Sequence, residues 1–125
     1  MIFVDASIPR GVAQALQRVR GDVLWIADVP DLSQATPDGV WLRRCGAESW
    51  LALTRDKRIR TRSAERRAVV EGGVGLFVLT NRRSLTRWAQ LRTIVTHLDD
   101  MEERYEATER PFIFNLNGRG LDRYL

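Results

Sequence analysis

The chain has 125 residues, of which 44% are apolar and 29% are charged, a composition that suits one globular domain with its own hydrophobic core. A single cysteine, Cys45, excludes an internal disulfide, and together with the single histidine, His97, it is too little for a Cys/His zinc site. The net charge is +4. We expect one domain over residues 1–125, without a membrane span or a signal peptide, located in the cytoplasm.

Short apolar runs closed by polar or turn-forming residues predict strands along the chain. Four such runs cover residues 2–4, 23–26, 50–53 and 74–79. Near the end, apolar residues alternate with others from Phe112 to Leu116, which predicts a further strand. The pair Asn117-Gly118 is typical of a hairpin turn and predicts a short return segment after it.

Between these runs, apolar residues recur at intervals of three and four, the spacing of amphipathic helices. Ser7, Thr36 and Ser63 are the predicted N-caps of three helices. The inward faces predicted for the first two are Ile8, Val12, Leu16 and Val19, and then Val40, Trp41 and Cys45 up to Gly46. The longest helix is predicted from Ser84 to about Glu106, with Leu85, Trp88, Leu91, Val95, Leu98, Met101 and Tyr105 facing inward. All four tryptophans fall on these runs or faces, and we predict them in the core.

Strands that alternate with helices at this spacing predict right-handed crossovers and a mostly parallel sheet. Helices then cover both faces, which gives a three-layer α/β/α fold with a long helix and a short strand or hairpin at its C-terminal end. In such sheets, ligands bind beyond the carboxyl ends of the strands. Residues that directly follow a predicted strand are therefore the candidates for a functional site.

Acidic and polar residues stand at these positions. Asp5 follows the first strand, Asp28 the second, Asp56 the third and Thr80-Asn81 the fourth. Carboxylates gathered at one edge without histidine or cysteine favour Mg²⁺ or Mn²⁺, which relieves their repulsion and promotes phosphodiester hydrolysis. Each acid also has a structural interpretation: a turn or cap for Asp5 and Asp28, a helix first turn for Asp38, and a surface ion pair for Asp56.

Positive charge is concentrated in residues 43–67, which carry a net charge of +6, whereas the remaining residues sum to −2. A basic segment in an otherwise slightly acidic domain suggests a polyanionic partner, of which nucleic acid is the usual one. A solvated, charged helix face explains the same charge equally well. The residues that we expect to hold an RNA backbone are Arg55, Lys57, Arg58, Arg60 and Arg62.

Several segments resemble PIN-domain ribonucleases, including the VapC-type toxins of bacterial toxin–antitoxin pairs. The opening residues 1–7, a hydrophobic strand that leads into Asp-x-Ser, are similar to the start of that family. The resemblance continues through residues 36–42, with Pro-Asp-x-x-Trp-Leu, and residues 53–59, with Leu-Thr-x-Asp-Lys. Residues 75–79 and 111–113 extend it, so that it touches most of the chain.

The resemblance implies a PIN-like fold and metal-dependent cleavage of RNA by in-line hydrolysis, which leaves a 5′-phosphate and a 3′-hydroxyl. The residues that it implies for the Mg²⁺ or Mn²⁺ site are Asp5, Asp38 and Asp56, supported by Ser7 and Thr54. PIN enzymes commonly carry a fourth acidic residue where this chain has Thr80-Asn81. Either Asn81, Asp28 or Asp31 substitutes for that residue, or one metal position is weak.

The resemblance also implies a cognate antitoxin protein as a partner and a homodimer as an assembly. Two alternatives to a ribonuclease stay open. The first is a non-catalytic PIN-like domain that binds RNA or regulates, with an incomplete metal site. The second is a phosphoacceptor signalling domain on a similar sheet, which is less favoured because Asp5 stands alone and Lys57 comes too early in the chain.

Overall fold

The apolar runs form the strands of one sheet in the computed structural model, which describes residues 1–81 and 86–125. The strands are β1 (Ile2–Val4), β2 (Val23–Trp25), β3 (Leu51–Thr54), β4 (Gly75–Leu79), β5 (Phe112–Asn117) and β6 (Gly120–Arg123). Their order across the sheet is β2-β1-β3-β4-β5-β6. The first five strands are parallel, and β6 pairs antiparallel with β5 as the predicted hairpin.

Within residues 1–81 and 86–125, four α-helices connect and cover the strands. They are α1 (Arg10–Gln17), α2 (Asp38–Glu48), α3 (Ser63–Gly72) and α4 (Arg87–Ala107). Helix α1 packs against α4, and α2 packs against α3. The predicted α/β fold with a mostly parallel sheet, a long helix and a C-terminal hairpin is confirmed. Within the described ranges, no helix combines the length and the apolar character needed to cross a lipid bilayer.

The two helices α2 and α3 approach each other unusually closely. A Cβ built on Gly46 of α2 would lie 1.9 Å from the backbone oxygen of Gly72 in α3. No side chain fits at this crossing, so the glycine permits the contact. On the sheet below, the Phe3 ring stacks on Trp41 and Trp50 with centroids 5.4 and 6.0 Å apart, which anchors α2 to β1.

Several predicted inward positions face solvent instead. Trp88 and Val95 on α4 are 67% and 55% exposed, and Val19 and Val40 are also exposed. Val19 lies beyond the end of α1, so the helix cannot turn it towards the core. The buried residues of α4 are Gln90, Thr93, Ile94, Leu98 and Met101. The predicted start of this helix at Ser84 and Leu85 lies outside the described residues.

The predicted N-caps are wrong at all three helices. Pro9, Pro37 and Arg62 occupy the cap positions of α1, α2 and α3. The Ser7 hydroxyl instead contacts Asp5 and Thr54, which gives it a different task. The predictions for Trp25 and Trp41 are confirmed, since both are buried, and Trp50 packs against the core.

Candidate active site

The strand order creates a crevice between β1 and β3. The chain leaves β1 towards β2 on one side, and it leaves β3 towards β4 on the other, so the connections diverge at this point. Open parallel sheets bind ligands outside the carboxyl ends of the strands at such a switch point. Asp5 directly follows β1, and Thr54 is the last residue of β3, so both lie at the crevice.

Asp5 is buried and fixed by two hydroxyl groups. Its side chain accepts a hydrogen bond from the Ser7 hydroxyl at Oδ1 and from the Thr54 hydroxyl at Oδ2, the latter at 3.0 Å. The backbone N–H of Asp5 donates to the Leu53 carbonyl oxygen at 3.2 Å, which ties the end of β1 to β3. Asp5 therefore has one defined orientation, in which the Ser7 and Thr54 hydroxyl groups hold its carboxylate.

Burial raises the pKa of Asp5 to about 7, because an ionised carboxylate loses its hydration there. The hydrogen bonds from Ser7 and Thr54 lower the pKa, since they stabilise the charged form. The negative charge of Asp38 raises it further. Two carboxylates whose charges repel each other at a crevice are typical of a functional site.

Asp38 reaches this environment from the first turn of α2. Its Oδ1 accepts a hydrogen bond of 3.0 Å from the Trp41 indole N–H, one turn further along the helix. Trp41, predicted only as a core residue, therefore also positions Asp38, a contact that was not predicted from the sequence. The spacing of three residues on one helix was the signal that could have revealed it.

Asp56 follows β3 and opens a short 3₁₀ helix at Lys57–Arg60. Its Oδ1 accepts hydrogen bonds of 3.0 Å from both the backbone N–H and the Nε of Arg58. The alternative interpretation of Asp56, a surface ion pair, thus matches its contacts, and the partner in the pair is Arg58. In this arrangement the guanidinium of Arg58 is a close neighbour of the Asp56 carboxylate.

A shallow groove of about 420 Å³ opens at this edge of the sheet. It is lined by Ser7, Arg55, Asp56, Lys57 and Arg58. The backbone N–H of Arg55 donates to the Ser7 hydroxyl at 2.8 Å, which connects the wall of the groove to the partners of Asp5. Three cationic side chains near the buried Asp5 carboxylate and the half-buried Asp56 form a surface suited to a phosphate backbone.

The other two predicted RNA-binding arginines are engaged in contacts within the protein. Arg60 donates to the Asn115 side-chain oxygen at 2.9 Å, and its guanidinium lies 4.8 Å from the centroid of the Tyr124 ring. Arg62 lies 3.9 Å from Glu65. Arg60 therefore ties the segment after β3 to β5, whereas Arg55, Lys57 and Arg58 line the groove.

The three substitutes predicted for a missing acid have separate surroundings, and one of them, Asp31, forms an ion pair of 2.7 Å with Arg44. Asp28 accepts hydrogen bonds from the Gln17 side chain at 2.7 Å and the Trp25 backbone at 3.0 Å, so it caps the turn after β2. Asn81 follows β4, and its Nδ2 would lie 3.8 Å from a Cβ built on Gly118 in the hairpin turn. The structure thus places Asn81 beside the β5–β6 hairpin.

Comparison with known proteins bears on the same part of the molecule. A family model described as "PIN like domain" matches residues 1–81, which include both β1 and β3 and the crevice between them. The chain belongs to the PIN-like domain family. No curated protein and no solved structure matches the sequence. The match places Asp5, Asp38 and Asp56 of this PIN-like domain inside the shared region.

PIN-like domains imply a divalent metal ion, and the acids present fit one in part. In the described ranges 1–81 and 86–125, no three His, Cys, Asp or Glu side chains are grouped so as to hold a metal ion. Mg²⁺ usually keeps several waters and is held by only one or two carboxylates. Asp5 and Asp38 are the two acids whose charges interact at the crevice, while Asp56 is paired with Arg58.

Proposed function

We propose that this PIN-like domain is a metal-dependent endoribonuclease whose Asp5 and Asp38 hold Mg²⁺ or Mn²⁺. The observation that carries the proposal is the buried Asp5 carboxylate, which is held between two hydroxyls and is repelled by Asp38 at the crevice. A bound cation would relieve that repulsion. The adjacent groove with its three cationic side chains supports a polyanionic substrate.

Each residue of the crevice then has a definite task. When bound, the metal ion supplies a water activated for attack and neutralises charge on the phosphodiester. Ser7 and Thr54 keep Asp5 oriented, and Trp41 keeps Asp38 oriented. Arg55 and Lys57 bind the RNA phosphates along the groove.

We further propose that the enzyme is the toxin of a toxin–antitoxin pair and is restrained by a cognate antitoxin protein. What supports this step is the resemblance of the opening strand and Asp-x-Ser segment to the VapC-type toxins. Expression of the protein in a bacterial host provides the test. The wild type should inhibit growth of its host and the Asp38→Asn variant should not, whereas equal growth would contradict the toxin role.

The ribonuclease proposal is tested by incubating the purified protein with a mixed structured RNA, with Mg²⁺ or Mn²⁺ or with a chelator. We expect cleavage with the metal only, and a loss in Asp5→Asn and Asp38→Asn of about 100-fold or more, the size of effect that removal of one electrostatic catalytic group produces. Asp100→Asn, the same change at an exposed position of α4, should cleave as the wild type does. RNA binding should persist in the first two variants, because removal of a carboxylate also removes repulsion of phosphate.

A second candidate function is a non-catalytic PIN-like domain that binds RNA or regulates. It is favoured by the contact of Asp56 with Arg58 and by the asparagine at position 81, where a further acid is expected. This candidate predicts RNA binding that weakens steeply with salt but no cleavage with either metal. Folded, RNA-binding protein that cleaves nothing would replace the ribonuclease proposal with this one.

A further inference from the structure

The C-terminal hairpin of β5 and β6 has two different faces, because successive residues of a strand point to opposite sides of a sheet. On one side, the Phe114 ring is buried and lies 5.7 Å from the guanidinium of Arg104 in α4. Asn115 therefore points to the other side, where it is half-buried and pairs with the exposed Asp122 of β6. This second face of the hairpin carries polar side chains.

The Arg60 guanidinium connects this polar face to the groove. Its Nη1 donates to the Asn115 side-chain oxygen at 2.9 Å, and its central carbon lies over the Tyr124 ring, 4.8 Å from the centroid. Its Nε donates to the backbone carbonyl oxygen of Lys57 at 3.1 Å, and Lys57 lines the groove. A single side chain, that of Arg60, thus lies between the Tyr124 ring and a residue of the groove.

Tyr124 presents an aromatic surface at this place. The guanidinium lies over one face of the ring, and the residue is still 39% exposed. The hairpin also carries two exposed arginines, Arg119 and Arg123, and one acid, Asp122, so the side chains around the ring have a net positive charge. Proteins bind single-stranded nucleic acid with this combination, in which a basic groove follows the backbone and an exposed ring stacks on a base.

We propose that Tyr124 is a specificity-determining residue, on which an unpaired base of the RNA stacks while the phosphates lie along the groove. The proposal rests on the proposed function, since it extends the RNA-binding surface from the groove to the hairpin. Stacking on a side chain needs a base with a free face, whereas neighbouring bases cover both faces inside a duplex. Tyr124 therefore selects unpaired nucleotides, while Arg55 and Lys57 bind phosphates of any strand.

A purely structural role for Tyr124 makes a different prediction. If the ring served only to hold Arg60, and Arg60 in turn contacted a phosphate, loss of the ring would remove an ionic contact with the RNA. Loss of a stacked base removes no ionic contact, because tyrosine carries no charge in a neutral solution. The salt dependence of RNA binding therefore separates the two roles.

The test measures the Kd of a labelled RNA by fluorescence anisotropy, with a chelator present so that the metal-dependent reaction does not consume the probe. One probe is an unstructured single strand of about ten nucleotides, and the other is the duplex that it forms with its complement. We expect Tyr124→Leu to raise the Kd of the single strand by about tenfold, in the range found for loss of one base–aromatic stack. Its Kd for the duplex should not change. Tyr124→Phe keeps the ring and should bind both probes as the wild type does.

The slope of log Kd against log salt concentration should be the same in Tyr124→Leu and in the wild type. A slope reduced by about one phosphate contact would show that the ring only holds Arg60, and it would overturn the proposal. An unchanged Kd for the single strand would overturn it too, as would equal losses for the single strand and the duplex. These results leave the ribonuclease proposal standing, whereas wild-type protein that binds no RNA would contradict both. Thermal unfolding establishes that each variant is folded.

Discussion

The Asp56 Oδ1 atom lies 3.0 Å from the Nε of Arg58, and the two residues form an ion pair beside the Asp5 crevice. The Asp56 side chain is only 14% exposed, whereas that of Arg58 is 67% exposed. An ion pair with an exposed arginine contributes little net free energy, so Arg58 can move away from Asp56 with little change in the free energy of unfolding. In the proposed site, Arg58 therefore competes with a metal ion for the Asp56 carboxylate.

Substitution Arg58→Ala is expected to strengthen metal binding, because it removes a competing cation from Asp56. The Kd for Mn²⁺, measured by titration calorimetry, should fall by about threefold to tenfold, which is the equivalent of roughly 1 kcal/mol. Arg62→Ala, which removes an arginine from the same segment, serves as the control and should leave the Kd unchanged. An unchanged Mn²⁺ affinity in Arg58→Ala would show that Asp56 takes no part.

Stability of the metal-free protein should depend on pH through Asp5. The folded protein raises the pKa of Asp5 from 3.8 to about 7, so the folded state holds this proton more tightly than the unfolded state. The contribution of Asp5 to stability is therefore greatest below about pH 4, falls as the pH rises towards 7, and is constant above that. The total change is at most about 4 kcal/mol, at 1.36 kcal/mol for each unit of pKa.

Urea unfolding in the presence of a chelator at several pH values measures this slope. Asp5→Asn should abolish most of it, because the amide does not titrate, whereas Asp100→Asn should retain it. An Asp5→Asn variant that loses stability between pH 4 and pH 7 as steeply as the wild type would contradict the role given to Asp5.

The contact of α2 with α3 predicts an intolerant position at Gly46. In Gly46→Ala the new Cβ would overlap the backbone oxygen of Gly72, so the helices must separate. We expect a loss of about 3 kcal/mol or more in the free energy of unfolding, in the range of a strained core. Gly21→Ala, where a Cβ meets nothing within 4 Å, should change stability by much less. Equal thermal midpoints for the two variants would contradict this packing.

Substitution of Lys57 should weaken RNA binding, whereas substitution of Arg60 should lower stability. Lys57 lines the groove, so Lys57→Ala should weaken RNA binding by a few-fold and reduce its salt dependence by about one phosphate contact. Arg60 connects to Asn115 and Tyr124, so Arg60→Ala should lower the thermal midpoint. Fluorescence anisotropy with a labelled RNA and thermal unfolding of both variants check the pair. The reverse assignment of the two effects would be inconsistent with this groove.

The strands, and the position of Asp5 at the sheet edge where β3 also ends, could be predicted from the sequence, because buried parallel strands are short apolar runs and their ends share one edge. The contact of Asp5 with Thr54 was implied only by the resemblance. The inward face of α4 could not be predicted from the sequence. That helix carries apolar residues on two sides, and periodicity alone does not decide which of them meets the sheet. Thr93 is buried whereas Val95 is exposed, and the Thr93 hydroxyl is satisfied within the helix because it donates to the Ala89 carbonyl oxygen.

Contacts between side chains far apart in the chain were equally beyond the sequence. The N-cap prediction for Ser7 followed from local propensity, but a tertiary contact with Thr54 gives that hydroxyl a better-placed partner. Likewise, an arginine-rich segment predicts positive charge without showing which guanidinium groups bind within the protein. Arg60 and Arg55 were alike in sequence, and only the fold separates them.

Binding of Mn²⁺ is the most direct test of the proposal that Asp5 and Asp38 hold a metal ion at the crevice. Titration calorimetry at pH 8, where Asp5 is ionised, should show one ion per chain in the wild type and in Asp100→Asn. Asp38→Asn should lose this binding. Asp38 is half-buried, so the substitution should leave the fold intact. Wild-type protein that takes up no Mn²⁺, or an Asp38→Asn variant that binds it as tightly as the wild type, would contradict the assignment of the metal site.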